Sequence, residues 1–172
     1  ALRIMRRAGA PVIYIQAGIH AGEIEGKDAG FAFLRDLLDG KVVPGALDAV
    51  NVIFVPVVNP DGHEQFKPNN RPNQRGPVEM GFRTNGGRLN LNRDYVKLED
   101  PAIASLVANV LAEWRPHVFV DGHNGGSRPY NLNYQWPSHY DSMRELTLIC
   151  DDEIFPAIDA KLAREGYRSW YY

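Results

Sequence analysis

Residues 11–23 read PVIYIQAGIHAGE and contain the first predicted strand followed by a polar turn. The apolar run at residues 12–15 predicts a buried strand that extends to Ala17, and Gly18 marks the turn that leaves it. A helix is predicted at residues 23–38, so Glu23 is expected in its first turn. Side chains three residues apart share a helix face. His20 and Glu23 are therefore predicted to offer an imidazole nitrogen and a carboxylate oxygen to one cation.

The rest of the chain alternates strand-like and helix-like segments. These further elements are predicted: buried strands at residues 50–58 and 118–120, and helices at residues 101–114 and 141–166. The last helix is expected to be interrupted near Pro156. Residues 59–90 form a loop much longer than usual connections, which favours a functional role. The order of elements predicts an α/β fold with a mixed, largely parallel sheet flanked by helices.

Polar residues follow each predicted strand at its carboxyl end. His20 follows the first strand, Asn59-Pro60-Asp61-Gly62 follows the second, and His123 follows the third. In open α/β sheets, ligands collect beyond the carboxyl ends of the strands, so these residues are predicted to converge. Catalytic zinc sites commonly use three protein ligands and leave a fourth position for water. His123 is accordingly the predicted third ligand beside His20 and Glu23.

The other histidines are interpreted as structural or solvated. His117 precedes the third strand, and at about 3.3 Å per residue it lies about 20 Å from His123, too far to share an ion. His63 and Glu64 are adjacent, so their side chains do not face the same way on a regular element. His139 has a single acidic neighbour at ligand spacing.

Residues 83–94 form a second polar cluster, rich in guanidinium and amide donors. Such donors are what a bidentate clamp on a carboxylate needs. A solvated loop held together by asparagine and glycine turns explains the same composition. Taken alone, the cluster leaves both interpretations open.

Together, these motifs resemble the zinc metallocarboxypeptidase family, the carboxypeptidase A-like enzymes and their bacterial relatives. The resemblance covers about residues 10–135 and rests on the order and spacing of the whole set. The matching residues are His20, Glu23, Asn59 to Gly62, Arg83, Asn85, Leu91, Asn92, Arg93 and His123. The resemblance implies a carboxypeptidase-like fold and zinc-dependent removal of C-terminal residues from peptides by metal-activated water.

The resemblance also implies a role for each matching side chain. One Zn2+ ion is expected on His20, Glu23 and His123. Arg83 is expected to polarise the scissile carbonyl, while Asn92 and Arg93 hold the free carboxylate of the substrate. The Asn-Pro-Asp-Gly turn is expected to shape the cleft wall. Zinc lowers the pKa of a bound water to about 7, which suits this hydrolysis.

Some features depart from the family pattern. Asn90 stands where the family usually has an aspartate that supports a zinc histidine, and its amide oxygen is a weaker acceptor for the imidazole proton. Asp94 replaces the commoner asparagine after the arginine. The glutamates after the third ligand lack the context of the family's general base: Glu145, Glu153 and Glu165. Residues 1–172 are therefore expected to be a single partial catalytic domain, an N-terminal part that lacks the base.

Two other functions stay open on the sequence. A zinc deacylase of N-acyl amino acids, similar to aspartoacylase or succinylglutamate desuccinylase, uses the same zinc scheme on a substrate with a free carboxylate. The other function is a non-catalytic zinc or peptide-binding module, which would explain why the general-base glutamate is absent. The Asn-Pro-Asp-Gly turn and the pairing of Arg83 with Asn92 and Arg93 favour the peptidase.

Composition narrows the possible partners and compartments. A net charge of -2 without charge runs gives no reason to expect nucleic acid. No apolar stretch approaches the about 20 residues that span a bilayer. Residues 1–7 are too short and too basic for a complete signal peptide, and the family resemblance alone is compatible with secretion or periplasmic export. Cys150 is the only cysteine and is expected to be a buried, inert thiol.

Overall fold

The computed structural model describes residues 8–74, 76–124, 131–136 and 143–171. The chain divides into two units, Ala1–Asn124 and Gly125–Tyr172. Residues 1–7, His139 and the start of the last predicted helix at Asp141 lie outside the described residues. No described helix is both long and apolar enough to cross a membrane. The assignment of a single partial domain stays a prediction.

Strands and helices alternate along the chain, as the sequence predicts. The strands are Val12–Ala17 (β1), Asn51–Val55 (β2), Lys67–Pro68 (β3), Glu79–Met80 (β4), Val118–Gly122 (β5), Leu132–Tyr134 (β6) and Ser169–Tyr171 (β7). The helices are Glu25–Leu38 (α1), Ala46–Ala49 (α2), Pro60–Glu64 (α3), Pro101–Leu106 (α4), Ala112–Trp114 (α5), Arg144–Ile149 (α6) and Phe155–Arg164 (α7). The segments Val107–Leu111 and Cys150–Ile154 are π-helical, and Leu91–Arg93 is a short 3-10 turn.

The first unit is built on a parallel sheet with the strand order β2-β1-β5. In the central strand β1, Ile15 pairs with Phe54 of β2 and with Val120 of β5. A short antiparallel pair, β3 with β4, lies within the long loop segment. The predicted α/β fold with a largely parallel sheet is confirmed, and the three strands of this sheet are all parallel and direct their carboxyl ends to one edge.

Helices pack on both faces of this sheet. On one face, the ring of Phe31 in α1 packs edge-on against Phe54, with ring centroids 5.6 Å apart. On the other face, Val55 packs against a buried cluster. The cluster consists of Ile19, Val58, Leu91 and Ile103. Burying an apolar side chain of this size contributes about 1.5–3 kcal/mol, so these contacts fix the loops at the carboxyl edge.

Two predicted boundaries in this region are wrong by a few residues. Strand β2 ends at Val55 rather than at residue 58. Pro56 has no N–H for the ladder, and the chain then crosses the end of β1, where the N–H of Val58 donates to the carbonyl of Ala17 at 3.0 Å. Helix α1 begins at Glu25, so Glu23 lies in the turn before the helix.

The third predicted strand is exposed rather than buried. Val118, Phe119 and Val120 of β5 all expose a large part of their side chains. Among the described strands, β5 pairs only with β1, so it forms an edge of the sheet. A run of apolar residues looks the same in an edge strand and in a central one, which explains the error.

In the second unit, the predicted helix runs without a break as α6, a π-helical segment and α7, and it ends at Arg164. Pro156 lies in the first turn of α7, directly after the π-helical segment. A proline ring clashes with the carbonyl four residues earlier, which accounts for the wider turn there instead of the expected interruption. Strands β6 and β7 pair in parallel, and Tyr134 stacks on Phe155 at 4.3 Å.

Gly62 provides a test of how tightly the loops are packed. A Cβ at this position would lie 2.4 Å from the carbonyl oxygen of Phe82 and 2.7 Å from that of Thr84, both backbone atoms. We therefore expect Gly62→Ala to lower the free energy of unfolding by about 1–3 kcal/mol, measured by urea denaturation. Gly87→Ala is the control, because its Cβ would meet only ordinary contacts. Equal stability of the two variants would contradict this packing.

Candidate metal centre

The carboxylate of Glu23 lies at the centre of the predicted metal site. Glu23 is only 4% exposed. Nδ1 of His20 lies 3.1 Å from its Oε1, and Nδ1 of His123 lies 2.9 Å from its Oε2. Ligand atoms of all three side chains lie within 4.8 Å of one another. The structure thus brings together the three residues that the sequence singled out.

The chemistry of this donor set fits zinc. Zinc binds imidazole nitrogen and carboxylate oxygen, and two histidines with one glutamate form a known type of catalytic site. Both imidazoles turn the same nitrogen, Nδ1, toward the carboxylate. Within the part of the chain that the structure describes, no other cluster of histidine, cysteine or acidic side chains is grouped closely enough to hold an ion. A zinc ion would therefore be held by His20, Glu23 and His123.

A tight turn, not a helix face, brings His20 and Glu23 together. The N–H of Glu23 donates to the carbonyl of His20 at 2.8 Å, which closes a turn before α1 begins. Gly22 within this turn has no room for a side chain, because a Cβ would lie 2.6 Å from Cγ of Arg71 and 2.7 Å from the carbonyl oxygen of Gly81. The expected shared helix face is wrong, but the spacing of three residues still brings the two side chains into contact.

Two residues that the sequence analysis missed also bind Glu23. Nη2 of Arg71 donates to Oε1 of Glu23 at 2.6 Å, and Nε2 of Gln74 donates to the same oxygen at 3.2 Å. The side chain of Arg71 is only 8% exposed. Both residues belong to the long loop, where no periodic pattern indicates which side chains turn inward. Arg71 therefore places a buried positive charge beside the predicted ligand.

The charge of Glu23 is stabilised by its neighbours. Burial by itself raises the pKa of a carboxyl, but hydrogen bonds from His123 and His20 outweigh it and hold the pKa of Glu23 well below its usual range. Hydrogen bonds to Asp121 and Glu23 raise the pKa of His123 to about 9. Metal binding to such a site requires neutral histidine and is accompanied by release of a proton.

The outer nitrogens of the two histidines have different surroundings. Nε2 of His123 lies 2.9 Å from Oδ2 of Asp121 and 3.2 Å from Nδ2 of Asn92. Nε2 of His20 is buried and has no hydrogen-bond partner among the described residues. Asn90 stands where the family has a supporting aspartate, and its side-chain oxygen accepts a hydrogen bond from the backbone N–H of Asn92 at 3.2 Å. The Asn90 amide thus caps a 3-10 turn.

Arg83 lies beside the predicted ligands. Its Nη1 is 3.9 Å from Oε1 of Glu23, and its side chain is 41% exposed. The Asn-Pro-Asp-Gly turn holds this loop: Nδ2 of Asn59 donates to the carbonyl of Arg83 at 3.3 Å, and the N–H of Phe82 donates to the carbonyl of Gly62 at 2.8 Å. Burial, together with the charge of Arg71, lowers the pKa of the Arg83 guanidinium. Arg83 thus combines a fixed backbone with an accessible cationic end.

Asn92 and Arg93 lie at the same edge of the sheet. Asn92 reaches His123 through Nδ2, and Nη1 of Arg93 donates to the carbonyl of Asn92 at 2.7 Å. Arg93 is exposed, whereas Asp94 is buried. The Asp94 carboxylate accepts hydrogen bonds from the backbone N–H groups of Glu99 and Asp100, so it shapes the chain that leads into α4. These two hydrogen bonds indicate that Asp94 has a structural role.

The other histidines have structural partners. Nδ1 of His117 accepts a hydrogen bond from the N–H of Val12 at 3.1 Å, at the start of the sheet rather than at its carboxyl edge. His63 lies 2.9 Å from Glu64 and 3.0 Å from Lys27. Neither histidine joins the cluster of predicted ligands.

The second unit holds the remaining candidates from the sequence. Glu145, Glu153 and Glu165 are exposed helical or helix-end residues, and Glu165 pairs with Lys161 at 2.7 Å. Cys150 is half-buried, and burial raises the pKa of its thiol, which disfavours the reactive thiolate.

The sequence pattern of one protein family matches most of this chain. The model of the zinc carboxypeptidase family matches residues 1–145. The chain belongs to the zinc carboxypeptidase family. The resemblance indicated by the sequence motifs is therefore confirmed. No curated protein matches the chain.

Solved structures of carboxypeptidases are similar to this chain in fold. A protein from Shewanella denitrificans assigned as a carboxypeptidase A is 27% identical, with a TM-score of 0.63 over 87% of this chain and 38% of that one. A metallo-carboxypeptidase from Burkholderia cenocepacia is 22% identical, with a TM-score of 0.70 over 96% of this chain and 42% of that one. The chain thus spans about two fifths of the length of these proteins, and the predicted carboxypeptidase-like fold class is confirmed.

Arg71→Met tests whether the buried guanidinium competes with a metal ion. Methionine is long and apolar, and it removes the positive charge that compensates Glu23, so a divalent cation would meet a more negative site. We expect the Kd for zinc to fall about tenfold, equivalent to about 1.4 kcal/mol, in competition with a chromophoric chelator. Arg35→Met, at an exposed arginine of α1, is the control and should leave the Kd unchanged. Weaker zinc binding by Arg71→Met would mean that the guanidinium supports the ligand instead.

Proposed function

We propose that this chain carries the zinc-binding part of a metallocarboxypeptidase that removes C-terminal residues from peptides. The observation that carries the proposal is the convergence of His20, Glu23 and His123, with Nη1 of Arg83 only 3.9 Å from the Glu23 carboxylate. Membership of the zinc carboxypeptidase family supports the same chemistry. The substrate class is a peptide with a free terminal carboxylate.

In this proposal, His20, Glu23 and His123 hold one zinc ion. When bound, zinc supplies a Lewis acid and an acidified water. The turn at residues 20–23 and the hydrogen bond from the Asn124 N–H, at 3.1 Å from Oε2 of Glu23, keep the carboxylate in place. The histidines are neutral when they act as ligands, so the proton on His123 leaves before or during metal binding.

Arg83 is proposed to bind the carbonyl oxygen of the scissile peptide bond. The Arg83 guanidinium is partly exposed to solvent, and its Nη1 lies close to the carboxylate of Glu23, the proposed metal ligand. A donor placed at a developing oxyanion is worth about 3 kcal/mol in comparable enzymes. Its backbone is held by Asn59, so the charge is positioned before substrate arrives.

Asn92 and Arg93 are proposed to hold the terminal carboxylate of the peptide. Arg93 is exposed, and its planar guanidinium can bind a carboxylate through two hydrogen bonds. Asn92 lies between this arginine and His123, which it reaches through Nδ2 at 3.2 Å. In this proposal, the carboxylate-binding group lies next to the proposed metal ligands.

Zinc stoichiometry tests the metal assignment. We expect His20→Ala and His123→Ala each to lose bound zinc after dialysis against metal-free buffer, measured by elemental analysis. A site with two remaining protein ligands falls short of the usual three. His63→Ala is the matched control, because His63 is tied to Glu64 and Lys27 and should leave the zinc content unchanged. Full zinc content in both ligand variants would refute the assigned site.

Substrate termini test the proposed carboxylate clamp. With the intact protein, Arg93→Ala should raise KM for peptides with a free C-terminus by about tenfold to a hundredfold, as expected for a lost charge-assisted hydrogen bond. The kcat should change little, because this contact is made equally in the ground state and the transition state. Arg35→Ala serves as the control. Equal turnover of amidated peptides would exclude the clamp, and turnover of N-acyl amino acids alone would identify a deacylase.

A further inference from the structure

A buried chain of hydrogen bonds connects the interior of the sheet to the proposed metal site. The hydroxyls of Tyr14 and Tyr95 each donate to Oε1 of Gln16 at 2.9 Å. Nε2 of Gln16 donates to Oδ1 of Asp121 at 2.9 Å. Oδ2 of Asp121 lies 2.9 Å from Nε2 of His123.

We propose that Asp121 and Gln16 are positioning residues of the metal site. Asp121 accepts the Nε2 proton of His123, which leaves Nδ1 as the nitrogen available to a metal, and Gln16 holds Asp121 in the orientation that this requires. The approach of Nδ2 of Asn92 to the same protonated nitrogen, at 3.2 Å, is then a contact between two donors and not a hydrogen bond. The inference rests on the proposed zinc function of His123.

The orientation of the Gln16 amide follows from its partners. An ionised carboxylate can only accept hydrogen bonds, so the amide nitrogen must face Asp121. The amide oxygen then faces the two tyrosine hydroxyls, which must donate to it. Burial raises the pKa of Tyr95 to about 12, so its hydroxyl keeps the proton that it donates. The network therefore admits a single direction of donation from the tyrosines to the carboxylate.

Because Gln16 is fully buried, its side-chain amide needs hydrogen-bond partners inside the protein. Gln16 is fully buried in the central strand of the sheet, between apolar neighbours. A buried amide left without partners costs about 1–3 kcal/mol, so an apolar residue is the simpler choice for a strand interior. In Gln16, both the amide oxygen and the amide nitrogen are hydrogen-bonded. The chain of hydrogen bonds continues through Asp121 to His123.

The strand register explains why the contacts are well positioned. Gln16 of β1 lies directly opposite Asp121 of β5 in the parallel pair. His123 follows two residues after Asp121, so the imidazole begins next to the carboxylate. Groups held by strands keep their geometry better than groups held by loops, which suits a role in orienting a ligand.

The two proposed histidine ligands are supported unequally. A carboxylate that accepts the outer N–H of a metal-bound histidine fixes the ring and raises its basicity. His123 has such a carboxylate in Asp121, whereas the outer nitrogen of His20 has no partner among the residues that the structure describes. The Asn90 amide is engaged at the 3-10 turn. In this chain, carboxylate support is therefore assigned to the third ligand.

The test uses zinc affinity and the visible spectrum of the cobalt-substituted chain. Asp121→Asn should weaken zinc binding by about tenfold to a hundredfold, the usual effect of losing an outer partner of a histidine ligand. Gln16→Met and the milder Tyr95→Phe should weaken it in the same direction by smaller factors. Asp121→Asn and Gln16→Met should also shift the cobalt d–d bands, because the orientation of the imidazole changes.

Two further variants make the result decisive. Asn51→Leu removes another buried amide, which donates to the carbonyl of Ala10 at 3.3 Å at the opposite end of the sheet, and it should leave both readouts unchanged. His123→Ala tests the underlying site. If Asp121→Asn and Tyr95→Phe keep the wild-type Kd and cobalt spectrum while His123→Ala loses the metal, the positioning role is refuted and the metal site stands. If His123→Ala keeps the metal, the proposed function itself fails.

Loss of affinity in Asn51→Leu equal to that in Gln16→Met would also overturn the inference, because it would reflect general destabilisation. Tyr95→Phe keeps the test informative if Gln16→Met does not fold, since it removes one hydroxyl and leaves the amide in place.

Discussion

A carboxylate buried in a protein must be compensated, and this requirement organises the site around Glu23. Removing a carboxylate from water costs several kcal/mol even after the protein relaxes. Glu23 is 4% exposed, and its oxygens meet donors from several parts of the chain. These donors belong to His20, Arg71, Gln74, His123 and the backbone of Asn124. The segments that carry these donors are therefore connected to one another through their hydrogen bonds to the Glu23 carboxylate.

The elements around Glu23 divide into a rigid side and a loop side. The sheet supplies the ends of β1 and β5, which place His20 and His123 and carry the buried network through Gln16. The long loop supplies Arg71 and Arg83, both of them cations. The geometry of the predicted histidine ligands is therefore set by the strands, while the positive charge close to Glu23 is supplied by the loop.

Much of the fold was predictable because it depends on local patterns. The apolar run of β1, the helical period of α1 and the positions of His20 and His123 after their strands all follow from short-range sequence features. The edge of the sheet where His20, Asn59 and His123 lie was predictable from the rule for parallel strands, whereas the roles of Arg83 and Asn92 came from the family resemblance. The family resemblance added the order of these motifs.

The remaining features depend on contacts that sequence patterns do not encode. The inward turn of Arg71 and Gln74 is set by packing within a long irregular loop, and the exposure of β5 is set by its place in the sheet. The pairing of Gln16 with Asp121 joins residues 105 positions apart. The sequence does contain one signal for this pairing, because a glutamine within the mainly apolar strand β1 indicates a buried polar partner.

Crystallographic analysis of the zinc-loaded chain, with data collected on both sides of the zinc absorption edge, tests the central claim most directly. We expect one anomalous peak about 2.0–2.2 Å from Nδ1 of His20, Nδ1 of His123 and an oxygen of Glu23. We also expect Oδ2 of Asp121 to stay within hydrogen-bonding distance of Nε2 of His123. A zinc peak elsewhere, or coordination of His123 through Nε2, would contradict the proposed site.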